Sequence, residues 1–350
     1  MITLTPTEVR RLRLQAQGVA DALPLDPVGV VDRGIAFQGQ DLPAVLQAIA
    51  LRSRSGTSVD DVRAAFDRGE LVRGWTMRGT LFVTTPAHHA RITARTATIM
   101  QKTLPRRREF LGISADDVTR AEQIARAVLA RGGATRAEML AAWEAAGVST
   151  SAQRGYHHIA ALASGGVMHW GPFRGRDQLL VATPAAAPAA AGADSADLVS
   201  IARRYLSAHG PVQRDELAWW LGLPKTPVRA ALASLGDELT SVDVDGVSYL
   251  VLATTLEPGI PDEIGVRLVP AFDECYLGYQ DRSLLASPAT QTAIVPGGNG
   301  MFRPVILVDG YVVGTWRRTV RAGEAPVELT EPMTAPMRRR IDAAVAAWPL

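Results

Sequence analysis

The chain has 350 residues, 47% hydrophobic and 21% charged, with a formal net charge of +2. Such a length suits roughly two to four modules and such a composition excludes disorder. With no apolar run of about 18 residues and no apolar core in the opening MITLTPTEVRRLRLQAQG, a cytoplasmic protein without membrane partners is expected.

Near the front, RGIAFQGQDLPAVLQAIALRSR places Gln38 and Gln40 around Gly39. Asp41, two positions before Pro43, reads as the cap of a helix, so residues 38–40 should be extended. In an extended segment positions i and i+2 share a face, so both amides can point into one cleft. Gly39, without a Cβ, would let another backbone approach. A helix over DLPAVLQAIALRS, another over SVDDVRAAFDRGELVRG and a strand-like WTMRGTLFVTT follow. Residues 91–110 hold Arg91, Arg95, Lys102, Arg106, Arg107 and Arg108 against Glu109 alone. That concentration of charge is either a phosphate contact or a solvated helix face.

Residues 115–131 carry apolar positions at helical spacing and stop at Gly132-Gly133. Thr135 with Glu138 forms a capping box for the next helix, which Gly147 closes. STSAQRGYHHIAALAS predicts a third helix, and VMHWGPFRGRDQLLVAT a hairpin. Helix, helix, helix, hairpin is the winged-helix order. It returns at 195–254, where two strands meet across Asp245-Gly246, and ARGGATRAEMLAAW even parallels SAHGPVQRDELAWW. The front of the chain is a fainter third copy.

The expected fold is therefore α+β and mainly helical: three tandem winged-helix domains with a C-terminal β-rich segment. Its parts are 1–110, the first winged helix with N-terminal helices; 111–183, the second; 184–194, an Ala/Pro linker; 195–257, the third; and 258–350, strands with a final helix from about Ala335 to Trp348. Trp143, Trp219 and Trp220 read as core, while Trp316 beside Arg317 and Arg318 stays open between core and base stacking. The six histidines include the adjacent pairs His88-His89 and His157-His158, which point apart rather than at one metal. They are read as capping or surface groups, and no metal or cofactor is expected. Cys275, the only cysteine, excludes an intrachain disulfide and a cysteine-based zinc cluster. No Gly-Lys-Ser/Thr phosphate loop, Gly-x-Ser-x-Gly or His-Glu-x-x-His occurs.

Together, RRLRLQAQG, QGQD before a helix, WTMRGTLFVTT, LVPAFDECYLGYQDR and MFRPVILVDGYVVGTWR resemble the AlkZ/YcaQ-like winged-helix DNA glycosylases over nearly the whole chain. These bacterial enzymes remove alkylated purines, including those in interstrand crosslinks. The resemblance implies double-stranded DNA carrying alkylated purines as partner, a monomer, and a cytoplasmic place at a bacterial nucleoid. The family's catalytic glutamine motif falls here on Gln38 and Gln40, the Gln-x-Gln branch. Gly39 stands where an aliphatic residue is common, and Phe82 where histidine often follows RGTL.

Neutral amides suit this chemistry. An N7-alkylated purine already carries positive charge, so its glycosidic bond breaks without an acid, and amide oxygens can stabilise the cationic sugar and hold water. The arginines and Lys102 of 91–110, with Arg282, Arg303 and Arg317, are candidate DNA contacts; for Asp273 and Arg282, which flank a turn, a structural salt bridge is the plainer reading. Only Lys102 and Lys225 could supply a lysine Schiff base, so a monofunctional glycosylase is expected. The competing reading is a non-catalytic winged-helix DNA-binding protein or transcriptional regulator.

Overall fold

The computed structural model describes residues 2–184, 195–317 and 325–348, without the side chains of 103–107 and 195. Strand β1 (Ile2–Thr3) leads into α1 (Pro6–Ala16), which Thr5 and Glu8 cap reciprocally. Helix α2 (Pro27–Gly34), capped by Asp26, delivers the chain to β2 (Ala36–Gln38). Next come α3 (Leu42–Arg52) and α4 (Val59–Asp67), then the hairpin β3 (Val72–Met77) and β4 (Thr80–Thr84). The helix expected through residue 74 stops at Asp67 because Gly69 turns the backbone to φ 74° and starts the strand instead. Helix α5 (Pro86–Phe110) follows directly and contains the whole basic stretch.

Three helices and a hairpin then come twice. The first set is α6 (Ala115–Leu129), α7 (Arg136–Ala145), α8 (Arg154–Ser164), β5 (Met168–Arg174) and β6 (Asp177–Ala182). Its third helix opens at Arg154, later than the sequence suggests, since Ala152 and Gln153 have positive φ of 48° and 70°. The second set is α9 (Ser195–His209), α10 (Glu216–Leu221), α11 (Lys225–Ala233), β7 (Leu239–Val244) and β8 (Val247–Leu252). Asp245 and Gly246, at φ 52° and 81°, make the tight turn of the last hairpin. The C-terminal part holds α12 (Ala253–Leu256), β9 (Val266–Val269), α13 (Glu274–Leu277), α14 (Pro288–Ile294), β10 (Val305–Val308), β11 (Tyr311–Trp316), β12 (Val327–Leu329) and α15 (Ala335–Ala346). Residues 185–194 of the expected Ala/Pro linker lie outside the described part.

The hairpins are not separate wings. A five-stranded sheet runs β2-β4-β3-β5-β6, crossing the expected boundary after residue 110 through the pair Arg73–Trp170. The last hairpin takes β1 as a parallel third strand, and β9–β12 form a four-stranded antiparallel sheet covered by α15. Helix α1 belongs with this far end of the chain: Val9 and Leu12 share a core with Val242, Val244 and Tyr249. The largest core joins α9–α11 to Ala36 and Phe82 of the five-stranded sheet and to Phe272, Tyr276 and Tyr279. Among the described residues no helix is long and apolar enough to cross a membrane.

One expectation about side chains is overturned, and one alternative left open by the sequence is decided. His88, His89, His158, His169 and His209 are buried, not surface groups. His88 meets Asp32 at 3.0 Å, His89 lies 5.6 Å from His169 ring to ring, and His209 stacks on Tyr205 at 4.4 Å. Trp316 resolves as core: it is 3% exposed, donates to the Val269 carbonyl at 3.0 Å and packs on Trp348. Trp143 and Trp220 are fully buried, and Trp219 is partly so.

Candidate active site

The glutamine motif begins at the end of edge strand β2. Gln38 pairs with Phe82 of β4, and the Gly39 amide continues the ladder by donating to the Leu81 carbonyl at 2.7 Å. The strand ends at Gln38, and Gln40 lies at a bend of the backbone two residues on, so the extended conformation expected over residues 38–40 does not reach Gln40. Asp41 then caps α3, its carboxylate accepting from the Ala44 amide at 3.0 Å. Gln38 is 8% exposed and Gln40 is exposed. Among the described residues neither side-chain amide has a hydrogen-bond partner, which leaves both available to a ligand.

Gly39 fits tightly. A Cβ there would lie 3.3 Å from the backbone of Phe82 and Val83 and 3.4 Å from Arg73. Its carbonyl accepts from Arg73 Nε at 2.7 Å, Arg73 Nη1 donates to Gln178 Oε1 at 2.8 Å, and Gln178 donates onward to the Gly171 carbonyl. Burial lowers the Arg73 guanidinium to about 10, with Asp41 acting the other way, so it stays charged at neutral pH. Arg73 thus ties the motif to β6 across the sheet. Sequence reading missed it, because its partners lie far along the chain.

On the motif's own face Phe82, opposite Gln38, is fully buried and packs edge-on against Trp220. Arg78, at φ 53° in the β3–β4 turn, lays its guanidinium over the rings of Phe82 and Trp219 at 5.3 and 4.6 Å. Sequence reading missed this residue too, though the Arg78-Gly79 turn within WTMRGTLFV was a signal for a hairpin tip.

The expected Asp273–Arg282 salt bridge does not form. Asp273 instead holds Arg52 in a two-pronged buried pair at 2.6 and 2.9 Å and caps α13 through the Cys275 amide. Burial alone would lower the Arg52 guanidinium, and Asp273 more than reverses that, so its pKa is raised. Beside them Glu274 is fully enclosed, its carboxyl pushed up to about 7 by burial. Arg282 donates to the Tyr276 carbonyl and lies over the Tyr276 and Phe302 rings.

The remaining basic candidates fall on two elements. On α5, Arg91 and Arg95 both pair with Asp197 of α9 at 3.3 Å, while Lys102 is exposed and Arg108 half-buried. The side chains of Arg106 and Arg107 lie outside the described residues. In the C-terminal sheet Arg303 pairs with Glu328 at 3.0 Å, and Arg317 is half-buried just after β11. Among the described residues no group of three histidine, cysteine, aspartate or glutamate side chains could hold a metal ion.

The class to which these features belong is that of the DNA glycosylases, enzymes that hydrolyse an N-glycosyl bond in DNA, because residues 31–348 match the family model described as "DNA glycosylase AlkZ-like". The chain belongs to that AlkZ-like family. It is 26% identical over 324 residues to the interstrand DNA cross-link repair glycosylase of Streptomyces sahachiroi, covering 87% of this chain and 85% of the relative. The solved Streptomyces sahachiroi DNA glycosylase AlkZ has a similar fold, with a TM-score of 0.76 at 24% identity over 99% of this chain and 96% of that one.

Proposed function

We propose that this DNA glycosylase excises N7-alkylated, cationic purines from double-stranded DNA, bulky adducts and interstrand crosslinks included, and that Gln38 and Gln40 are its catalytic residues. The observation that carries the reading is the pair of amides two positions apart at the end of a tightly held edge strand, neither with a hydrogen-bond partner among the described residues. The relative named for cross-link repair supports the wider substrate range.

In this mechanism the C1′–N9 bond breaks and its electron pair passes to the base, which leaves neutral because alkylation had made it cationic. The sugar becomes oxocarbenium-like. Amide oxygens of Gln38 and Gln40 stabilise that charge and orient a water whose oxygen adds to C1′, its proton passing to solvent. A normal, uncharged base would leave poorly, since departure then needs an acid. The lesion's own charge therefore supplies part of the selectivity, and a site of this kind need not enclose the base in a snug pocket.

The three helix-and-hairpin units act in this reading as winged helices along the duplex, and the protein works as a monomer with α5, Arg282, Arg303 and Arg317 at the DNA backbone. Lys225 is paired with Asp215 at 2.8 Å, and Lys102 lies on α5 among the arginines proposed for the DNA backbone. On this reading the enzyme is monofunctional, leaving an intact abasic strand. The test is incubation with duplexes containing N7-methylguanine or a bulky N7 adduct. Free base with an unbroken abasic strand, and no borohydride-trapped protein–DNA adduct, is expected. Tight sequence-specific binding without base release would instead identify a regulator.

A further inference from the structure

Two arginines beside the glutamine motif have no acidic partner. Arg78 makes no hydrogen bond or ion pair among the described residues, and its Nε is buried without an acceptor. Its guanidinium lies over the Phe82 and Trp219 rings. The hairpin tip that carries it docks against Gly222, the C-cap of α10, whose position for a Cβ lies 3.7 Å from Arg78 Cγ. Arg282 is held in a comparable way, with one hydrogen bond from Nε to the Tyr276 carbonyl and two rings beneath it. Both terminal nitrogens of its guanidinium are left without partners among the described residues.

The two cations are close enough to repel. Burial lowers the pKa of each, and the charge of Arg282 lowers that of Arg78 further; Glu274 acts the other way on Arg78, and Tyr276, Glu216 and Glu274 act the other way on Arg282, without reversing the shift in either. Yet Glu274 pairs with neither within 4.0 Å; its carboxylate accepts instead from Trp220 Nε1. Two preorganised, poorly compensated guanidinium groups on aromatic platforms form an anion site by ordinary electrostatics, and such forks match phosphate oxygens in particular.

We infer that Arg78 and Arg282 together grip one phosphodiester of the DNA backbone next to the nucleotide presented to Gln38. Position supports this assignment. Gln38 and the Phe82 ring that carries Arg78 are cross-strand partners on one face of the sheet, and α13, from which the Arg282 loop departs, packs against β2. The placement rests on the glycosylase reading, and it adds a fixed register: the clamped phosphate sets which sugar lies at the amides.

The experiment is a binding scan. The full-length protein is titrated with duplexes containing a tetrahydrofuran abasic analogue, each with a single phosphate near the analogue replaced by an uncharged methylphosphonate. Wild type is expected to lose about tenfold in affinity at one phosphate adjacent to the analogue. In the Arg78→Gln, Arg282→Gln double variant that position becomes indistinguishable from its neighbours, and the salt dependence falls by about one phosphate contact. Should glutamine disturb folding, Arg78→Lys and Arg282→Lys keep the charge but lose the fork, and the loss at that position should shrink.

A flat wild-type profile, as a free inorganic anion in the site would give, overturns the assignment, and so does the same profile in wild type and variants. Gln38→Ala retains the profile while losing base release. Failure of the catalytic reading and failure of the phosphate assignment therefore appear in different measurements.

Discussion

Gly39 is the residue on which the motif's geometry turns. Replacing it with alanine drives a Cβ to 3.3 Å from the β4 backbone, which cannot move without disturbing a five-stranded sheet. Gly39→Ala should therefore cost about 1–3 kcal/mol by overpacking and slow base release by moving Gln38. Thermal melting and excision rates check both; an unchanged rate would show that the amides tolerate displacement. Asp273→Asn should be more damaging, about 3–5 kcal/mol, because it strands the buried charge of Arg52, and denaturant unfolding reads that loss. At this scale local signals were legible in sequence: the Asp41 cap, the close backbone at Gly39 and the Thr135–Glu138 box all follow from neighbouring residue types. The Arg52–Asp273 pair was not, since 221 positions separate partners that only the completed fold brings together.

Helix α5 divides into two stretches along its length, the second proposed above to meet the DNA backbone. At 25 residues it extends about 37 Å, and its first turns are anchored on β3, with Ile92 buried and Thr96 hydrogen-bonded to the Thr76 carbonyl. Arg91 and Arg95 are spent on Asp197, whereas Lys102 and the Arg106–Arg108 run come after that anchor. Changing Arg106, Arg107 and Arg108 to glutamine should weaken binding to all duplexes alike and lower the salt slope by up to about three contacts. Changing Arg91 should have a smaller effect on the slope; equal slopes for the two variants would contradict this division. Among the elements, the helices and hairpin turns were readable from periodicity and from Asp245-Gly246. How the strands combine was not, because β1 with β7 and β3 with β5 pair across long stretches of chain, and such pairing leaves no local trace.

Over the whole molecule, the sheets and cores that cross unit boundaries make the chain one assembly, and its buried histidines link that assembly to pH. Burial lowers His209 to about 3 and both His89 and His169 to about 4, from 6.5 when unfolded. Below pH 6.5 the unfolded chain takes up protons that the folded one refuses, so stability is complete above 6.5 and is lost as pH falls toward 4. Each histidine contributes about 1.4 kcal/mol per pH unit in that window. Glu274 acts in the opposite sense, favouring the folded state more as pH falls from about 7 to 4.5, but one group does not offset three. Melting temperature should drop between pH 6.5 and 4, and His209→Phe should flatten the slope by about one proton; an unchanged slope would show that His209 is protonated when folded. The same assembly holds Gln38 at the end of β2 with Gln40 two residues on, the pair proposed above to act on the duplex. The most direct test of that role is single-turnover release of N7-methylguanine from duplex DNA by wild type, Gln38→Ala, Gln40→Ala and the double variant, with melting measured alongside. Base release should fall by at least about a hundredfold in the double variant while melting stays within a few degrees of wild type. Wild-type rates in a folded double variant would contradict it.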